Sequence, residues 1–127
     1  MRGTKPQLVV DNGAMRKAPP PPAWLSAEAK KEWRRVIPIL LERRILTTGD
    51  LGSLENYCIA MGRVREFEAD MQTITEAEIK VKVFRAQDKS MASARLLAAE
   101  LGLTPVSRSR PAIREDEDDG ENPLDVS

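Results

Sequence analysis

The chain has 127 residues, 20 of them basic and 20 acidic, with one cysteine and no histidine, which is enough for one small domain. A single cysteine excludes an internal disulfide, and the lack of histidine excludes a Ser/His or Cys/His nucleophile pair and the usual Cys/His zinc site. We therefore expect a non-catalytic protein without cofactor or metal. No apolar run approaches the ~20 residues that span a bilayer, so we expect a soluble protein of a reducing compartment with no membrane contact.

Charge is distributed unevenly along the chain. From Arg114 onward seven acidic residues stand against one basic residue, so this segment carries a net charge of −6 and the preceding part carries +6. A basic body favours an anionic partner such as nucleic acid. Residues 107–127, first basic and then acidic, have the polar composition of a disordered tail. Arg108 and Arg110 at its start are candidate phosphate contacts.

Residues 1–22 predict a disordered basic arm. Four consecutive prolines, Pro19 to Pro22, lack backbone donors and favour a stiff polyproline II spacer. Four basic residues against one acidic residue give the arm a net charge of +3. Its candidate DNA contacts are Arg2, Lys5, Arg16 and Lys17.

A first helix is predicted to begin after Ser26, a favourable N-cap. Apolar residues recur on one face at helical spacing from Trp33 to Leu41, and Pro38 within this run predicts a kink or a break. The polar face carries a second set of candidate DNA contacts, which are Lys30, Lys31, Arg34 and Arg35.

Thr47 and Asp50 form a predicted capping box that opens a long central helix, from Thr48 to about Gln72. Apolar residues keep a three-four spacing along its length, and Cys58 among them is interpreted as a small buried hydrophobe. So long a helix in so short a chain needs a partner, which is the last helix, a neighbouring subunit, or both.

Residues 73–85 are predicted as a short strand or an irregular extended segment, because Ile79, Val81 and Val83 alternate with basic residues. The last helix is predicted from Asp88 to Leu101, with Gly102 in the left-handed position that ends it. The candidate oligomerisation residues of the two long helices are Leu51, Leu54, Tyr57, Met61, Val64, Leu97 and Leu101.

The predicted fold class is mainly α. A small domain of about three helices over residues 23–106, with a long central helix, lies between the disordered arm and the disordered tail.

Ordered short motifs give the chain a family resemblance. They are RG-x-KP at residues 2–6, P-x-W-L-S at 22–26, A-K-x-E-W at 29–33, L-T-x-x-D at 46–50, L-x-x-Y-C at 54–58 and L-A-A-E-L-G-L-T-P-x-S-R-x-R at 97–110. In this order and spacing the chain resembles phage terminase small subunits of the P27 type. It departs from that pattern at residues 75–85, which are charged, and in the acidic tail.

The resemblance implies a function. Small terminase subunits of this kind are non-catalytic, recognise double-stranded viral DNA, assemble as homo-oligomers and deliver DNA to the large subunit, which holds the ATPase and the nuclease. The resemblance also implies a phage- or prophage-encoded protein of the host cytoplasm. The alternative from the residues alone is a helical DNA-binding regulator or a protein-interaction adaptor.

Overall fold

The computed structural model describes residues 13–105, and every regular element within that range is helical. We name the helices α1 (Ala27–Glu42), α2 (Leu51–Met71) and α3 (Ala77–Glu100), and a single 3-10 turn (Thr48–Asp50) leads into α2. Both α1 and α3 pack against α2. The mainly α fold with a long central helix is therefore confirmed.

Helix α1 begins where the capping residue predicts. Ser26 has an extended backbone, and its hydroxyl oxygen accepts a hydrogen bond from the N–H of Ala29 at 3.2 Å. Pro38 does not break the helix, which continues to Glu42. Because Arg34 and Pro38 both lie on the exposed face, water can satisfy the Arg34 carbonyl that Pro38 leaves without its usual donor.

The predicted capping box before α2 is confirmed. The Thr47 backbone N–H donates to Asp50 Oδ2 at 2.9 Å, and the Thr47 hydroxyl donates to the same oxygen at 3.0 Å. These bonds fix the turn that redirects the chain from α1 into α2.

The prediction of a strand or extended segment over residues 73–85 is wrong. Helix α3 begins at Ala77, well before the predicted Asp88. Ile79 and Val81 are both exposed, so their alternation with lysines does not reflect a half-buried strand. Within residues 13–105 no strand is present to pair with this segment, and glutamate, alanine, lysine and glutamine favour a helix.

The predicted glycine stop of α3 is confirmed. Gly102 has a φ of 76° and its N–H bonds to the Ala99 carbonyl at 3.1 Å, while the Leu103 N–H bonds to the Ala98 carbonyl at 2.9 Å. This pair of bonds is a Schellman motif.

The core is built mainly from one face of α1 and the facing side of α2. Val36 and Leu40 from α1 and Leu54 and Cys58 from α2 are fully buried. Burial raises the pKa of the Cys58 thiol to about 12, so the residue acts as a small hydrophobe. Among the helices of residues 13–105, none is long and apolar enough to cross a membrane.

Gly62 allows α1 and α2 to approach closely. A Cβ atom added at Gly62 would lie 2.9 Å from the backbone nitrogen of Ala29 and 3.3 Å from its Cβ. Both atoms belong to a helix that cannot give way locally, so this crossing requires glycine at position 62. Gly52, near the start of the same helix, has nothing within 4 Å of the equivalent atom.

We predict that Gly62→Ala lowers the free energy of unfolding by about 1–3 kcal/mol, because the clash outweighs the gain in helix propensity. Gly52→Ala is the matched control and should raise the free energy of unfolding by roughly 0.5–1 kcal/mol. Chemical denaturation followed by circular dichroism measures both. A Gly62→Ala protein as stable as Gly52→Ala would contradict the close approach.

Candidate nucleic-acid interface

A buried carboxylate on α1 organises the charged residues around it. Glu32 is 0% exposed. Arg35 donates to Oε1 at 3.0 Å and to Oε2 at 2.6 Å, Arg65 of α2 donates to Oε1 at 2.7 Å, and the Tyr57 hydroxyl donates to Oε2 at 2.5 Å. Both oxygens of this buried group are therefore fully hydrogen-bonded, as a buried charge requires.

The surroundings of Glu32 keep it ionised. Burial alone would raise the pKa of its carboxyl, but the hydrogen bonds from Arg35, Tyr57 and Arg65 outweigh burial and lower that pKa to about 2. Burial and donation to Glu32 raise the pKa of the Tyr57 hydroxyl, so this group remains a donor. The four side chains form an ionic cluster that links α1 to α2.

The ionic cluster removes one cation from the predicted basic face of α1. The guanidinium of Arg35 is paired with Glu32, and the Lys31 ammonium lies 3.3 Å from the Glu28 carboxylate on the exposed side of the helix. Lys30 is half-buried and Arg34 is exposed, and neither forms an ion pair with another residue in the range 13–105. Lys30 and Arg34 are therefore the α1 cations best placed to meet a phosphate.

Part of the predicted arm lies against the helices. The sequence predicts disorder over all of residues 1–22, whereas within the described range Ala14 is buried and the Met15 N–H bonds to the Leu46 carbonyl at 2.7 Å. The Trp33 indole N–H donates to the Pro19 carbonyl at 2.9 Å. The stiff polyproline backbone points its carbonyls outward. The Pro19 carbonyl can therefore accept a hydrogen bond from the buried Trp33, although residue 19 belongs to no helix or strand.

These bonds set the direction of the segment. Residue 15 bonds just beyond the C-terminal end of α1 and residue 19 bonds at its middle, so the segment runs antiparallel to the helix. Arg16 lies with Arg44, which follows α1, and with the acidic Glu42 in the lining of one open depression of about 350 Å³. Lys17 is exposed next to it in the chain. The docked segment therefore places Arg16 and Lys17 beside α1, with Arg16 near the C-terminal end of that helix.

The other predicted DNA contacts, Arg2, Lys5, Arg108 and Arg110, lie outside the described residues. Within residues 13–105 no group of three acidic or cysteine side chains is close enough to hold a metal ion. The surface along α1 carries side-chain cations that can attract anions.

A family model described as "Phage terminase, small subunit" matches residues 29–118, which is most of the chain. The chain belongs to the phage terminase small-subunit family. The match begins later than the motif resemblance and extends into the acidic segment, which that resemblance left out. Comparison with curated proteins and with solved structures finds no match.

The predicted oligomerisation residues of this terminase small subunit fall into two groups. Leu54, Tyr57 and Leu101 are buried inside the chain's own core. The remaining four are half-buried, and they are Leu51, Met61, Val64 and Leu97. Packing between α2 and its neighbours within one chain thus accounts for the burial of the first group, and the role of the set in assembly stays a prediction.

Sequence reasoning missed the residues that hold this terminase domain together. Glu32, which the sequence analysis does not single out, lies between Ala29 and Val36 on the buried side of α1. An acidic residue on the buried face of a helix needs buried hydrogen-bond donors. Its position therefore predicts a polar cluster, although it does not identify Arg65 as one of the donors. Arg43 also has a structural partner, since its guanidinium donates to the Gly102 carbonyl at 2.9 Å.

We predict that the terminase small subunit loses stability in acid through Glu32. The folded-state pKa is about 2 against an ordinary value of 4.5, so the stabilisation is complete above pH 4.5 and is lost as the pH falls toward 2. Its size is at most about 3 kcal/mol, since solvent screens the half-exposed Arg35. Denaturant titrations at a series of pH values measure it.

Two variants isolate this effect. Tyr57→Phe removes one donor to the buried carboxylate and should move the acid transition to higher pH. Glu28→Gln removes a partly exposed carboxylate with the same spacing to its basic partner and should change the free energy of unfolding by less than about 0.5 kcal/mol. Equal acid profiles for wild type and Tyr57→Phe would show that the cluster does not control the transition.

Proposed function

We propose that this protein is the non-catalytic DNA-recognition subunit of a viral packaging terminase of the P27 type. It binds double-stranded viral DNA, assembles as a homo-oligomer and delivers DNA to the large subunit. Membership of the terminase small-subunit family is the observation that carries the proposal. The family is generally non-catalytic, and the protein acts in the cytoplasm of a phage-infected or prophage-carrying host.

The basic surface along α1 supports the DNA-binding part of the proposal. It combines Arg16 and Lys17 of the docked segment with Lys30 and Arg34 of the helix. Helix α1 is 16 residues long, which corresponds to about 24 Å at ~1.5 Å per residue. That length spans several phosphates of one DNA strand, so a duplex that lies along α1 can meet more than one of its cations.

The alternative is a helical regulator or adaptor. A regulator that binds DNA would show the same salt dependence but would not require the large subunit, whereas an adaptor would not bind DNA. Co-purification with the large subunit encoded in the same genome separates the packaging role from both alternatives.

We predict that replacing Lys30, Lys31 and Arg34 together with alanine weakens binding to duplex DNA. Each lost phosphate contact should reduce the slope of log K against log salt by about 0.9. Arg35 is left intact because its replacement would strip a donor from buried Glu32. Fluorescence anisotropy of a labelled duplex across a salt series measures affinity and slope in the full chain.

The matched control removes the same charge from another helix. Lys80, Lys82 and Arg85 are exposed on α3, and their joint replacement by alanine should leave the salt slope unchanged. If the two triple variants lose affinity equally, the binding reflects net charge and the α1 surface is not the DNA site.

A further inference from the structure

The groove between α2 and α3 contains an open cleft of about 530 Å³ with a polar lining. Asn56 and Arg63 line it from α2, and Lys89, Ser90 and Ser93 line it from α3. Among the described residues, no acidic side chain belongs to this lining. The remaining members are apolar, and they are Ile59, Ala60 and Leu97. The cleft therefore concentrates positive charge and hydrogen-bond donors between two packed helices.

The five polar side chains of the cleft have no partner within residues 13–105. Arg63 and Lys89 form no ion pair in this range, and the Asn56 amide and the two serine hydroxyls form no hydrogen bond. A helical serine can bond to the carbonyl one turn earlier, but Ser90 does not do so although it is half-buried. Two cations and three neutral donors without acceptors suit an oxyanion, which is a carboxylate or a phosphate.

The chain itself carries a segment of matching chemistry. Residues 115–119 are five consecutive acidic residues, which we call the acidic segment. The family match runs to residue 118 and so covers four of the five. Carboxylate oxygens accept hydrogen bonds from guanidinium, ammonium, hydroxyl and amide groups, so the acidic segment is complementary to every polar group of the cleft.

The end of the described chain lies within reach of the cleft. Ser93 is eight residues before Leu101, which caps α3, and this corresponds to about 12 Å along the helix axis at ~1.5 Å per residue. Residues 106–114 connect the end of the described range to the acidic segment, and nine residues span up to about 30 Å when extended. A tether of this length gives an effective concentration in the millimolar range, which is enough to hold a weak electrostatic contact.

We propose that the acidic segment binds in the cleft between α2 and α3 of its own chain. Its carboxylates pair with Arg63 and Lys89 and accept hydrogen bonds from the serine hydroxyls and the Asn56 amide. This internal contact goes beyond the proposed function and does not depend on it. The contact withdraws two cations from phosphate and so reduces the positive charge that competes with the α1 surface for DNA.

Carbodiimide cross-linking of the full chain tests the contact directly, because it joins a lysine amine to a carboxylate that touches it. At low salt, Lys89 should be joined to a residue of the acidic segment, and mass spectrometry of the digested protein identifies the link. Lys80 is the internal control. It is exposed and nine residues before Lys89, which is about two and a half turns, so it lies on the opposite side of α3 and should be linked several times less.

Mixing equal amounts of unlabelled and nitrogen-15-labelled protein separates links within one chain from links between chains. Links within one chain are expected. Absence of the Lys89 link, equal linking of Lys80, or links formed only between chains overturns the proposal.

Two arginine variants are matched for charge. Arg63→Ala removes a cation of the cleft that is not itself cross-linked, so the yield of the Lys89 link should fall severalfold. Arg95→Ala is the control, because position 95 is about 200° around α3 from Ser93 at ~100° per residue and lies outside the cleft. Both arginines are exposed and without an ion pair in the range 13–105, and circular dichroism checks that both variants keep their helix content. Equal yields from the two variants overturn the pairing.

Duplex DNA is the other occupant that the chemistry of the cleft admits, and salt-dependent anisotropy distinguishes it. If the acidic segment occupies the cleft, Arg63→Ala combined with Lys89→Ala should leave the salt slope of DNA binding unchanged. If this pair lowers the slope in the otherwise wild-type chain, DNA phosphates occupy the cleft and the proposal is overturned.

Neutralising the acidic segment gives the converse test, with the substitutions E115Q, D116N, E117Q, D118N and D119N. The freed cations should steepen the salt slope by up to about 1.8, since each phosphate contact adds about 0.9. Adding Arg63→Ala and Lys89→Ala should cancel this gain, and a gain that survives comes from net charge alone and overturns the proposal. A chain that binds no duplex DNA contradicts the proposed function, whereas the cross-linking result still decides the occupant of the cleft.

Discussion

The ionisation of Glu32 in the core is the constraint on which the rest of this structure depends. A carboxylate without solvent contact would be costly alone, and it is stable here because three donors from two helices converge on it. That convergence fixes the rotation of α1 against α2. It also determines which cations remain outside the ionic cluster. Arg35 and Arg65 donate to Glu32, whereas Lys30 and Arg34 do not. The division between structural and surface charge thus follows from one buried acid.

Local signals in the sequence predicted the ends of the helices well. Ser26, the Thr47–Asp50 pair and Gly102 each act through bonds within a few residues, so their effect can be read without knowing the tertiary structure. The start of α3 was mispredicted because alternation of Ile79, Val81 and Val83 with lysines is a signal only when one face is buried. In this structure the segment is largely exposed, so helix propensity determines its conformation.

The candidate site was predictable only in part, for a physical reason. Composition and spacing identify one basic face, made of Lys30, Lys31, Arg34 and Arg35. They do not show which of these side chains form ion pairs within the protein and which remain at the surface. Pairing of Arg35 with Glu32 depends on Tyr57 and Arg65, which lie one helix away. The docking of residues 13–22 depends on the Trp33 indole N–H meeting the Pro19 carbonyl and on the Met15 N–H meeting the Leu46 carbonyl. Contacts between distant residues of this kind leave no periodic trace in the sequence.

The close approach at Gly62 has a consequence for how substitutions combine. Ala29, which Gly62 faces, lies one helical turn before Glu32 on the same side of α1. Any side chain that pushes the helices apart at this crossing also lengthens the path from Arg65 to the buried carboxylate. Steric and ionic contributions at this point are therefore energetically coupled, and the effects of substitutions at positions 29, 62 and 65 will not add. At this crossing α1 and α2 cannot move apart without weakening the ionic cluster.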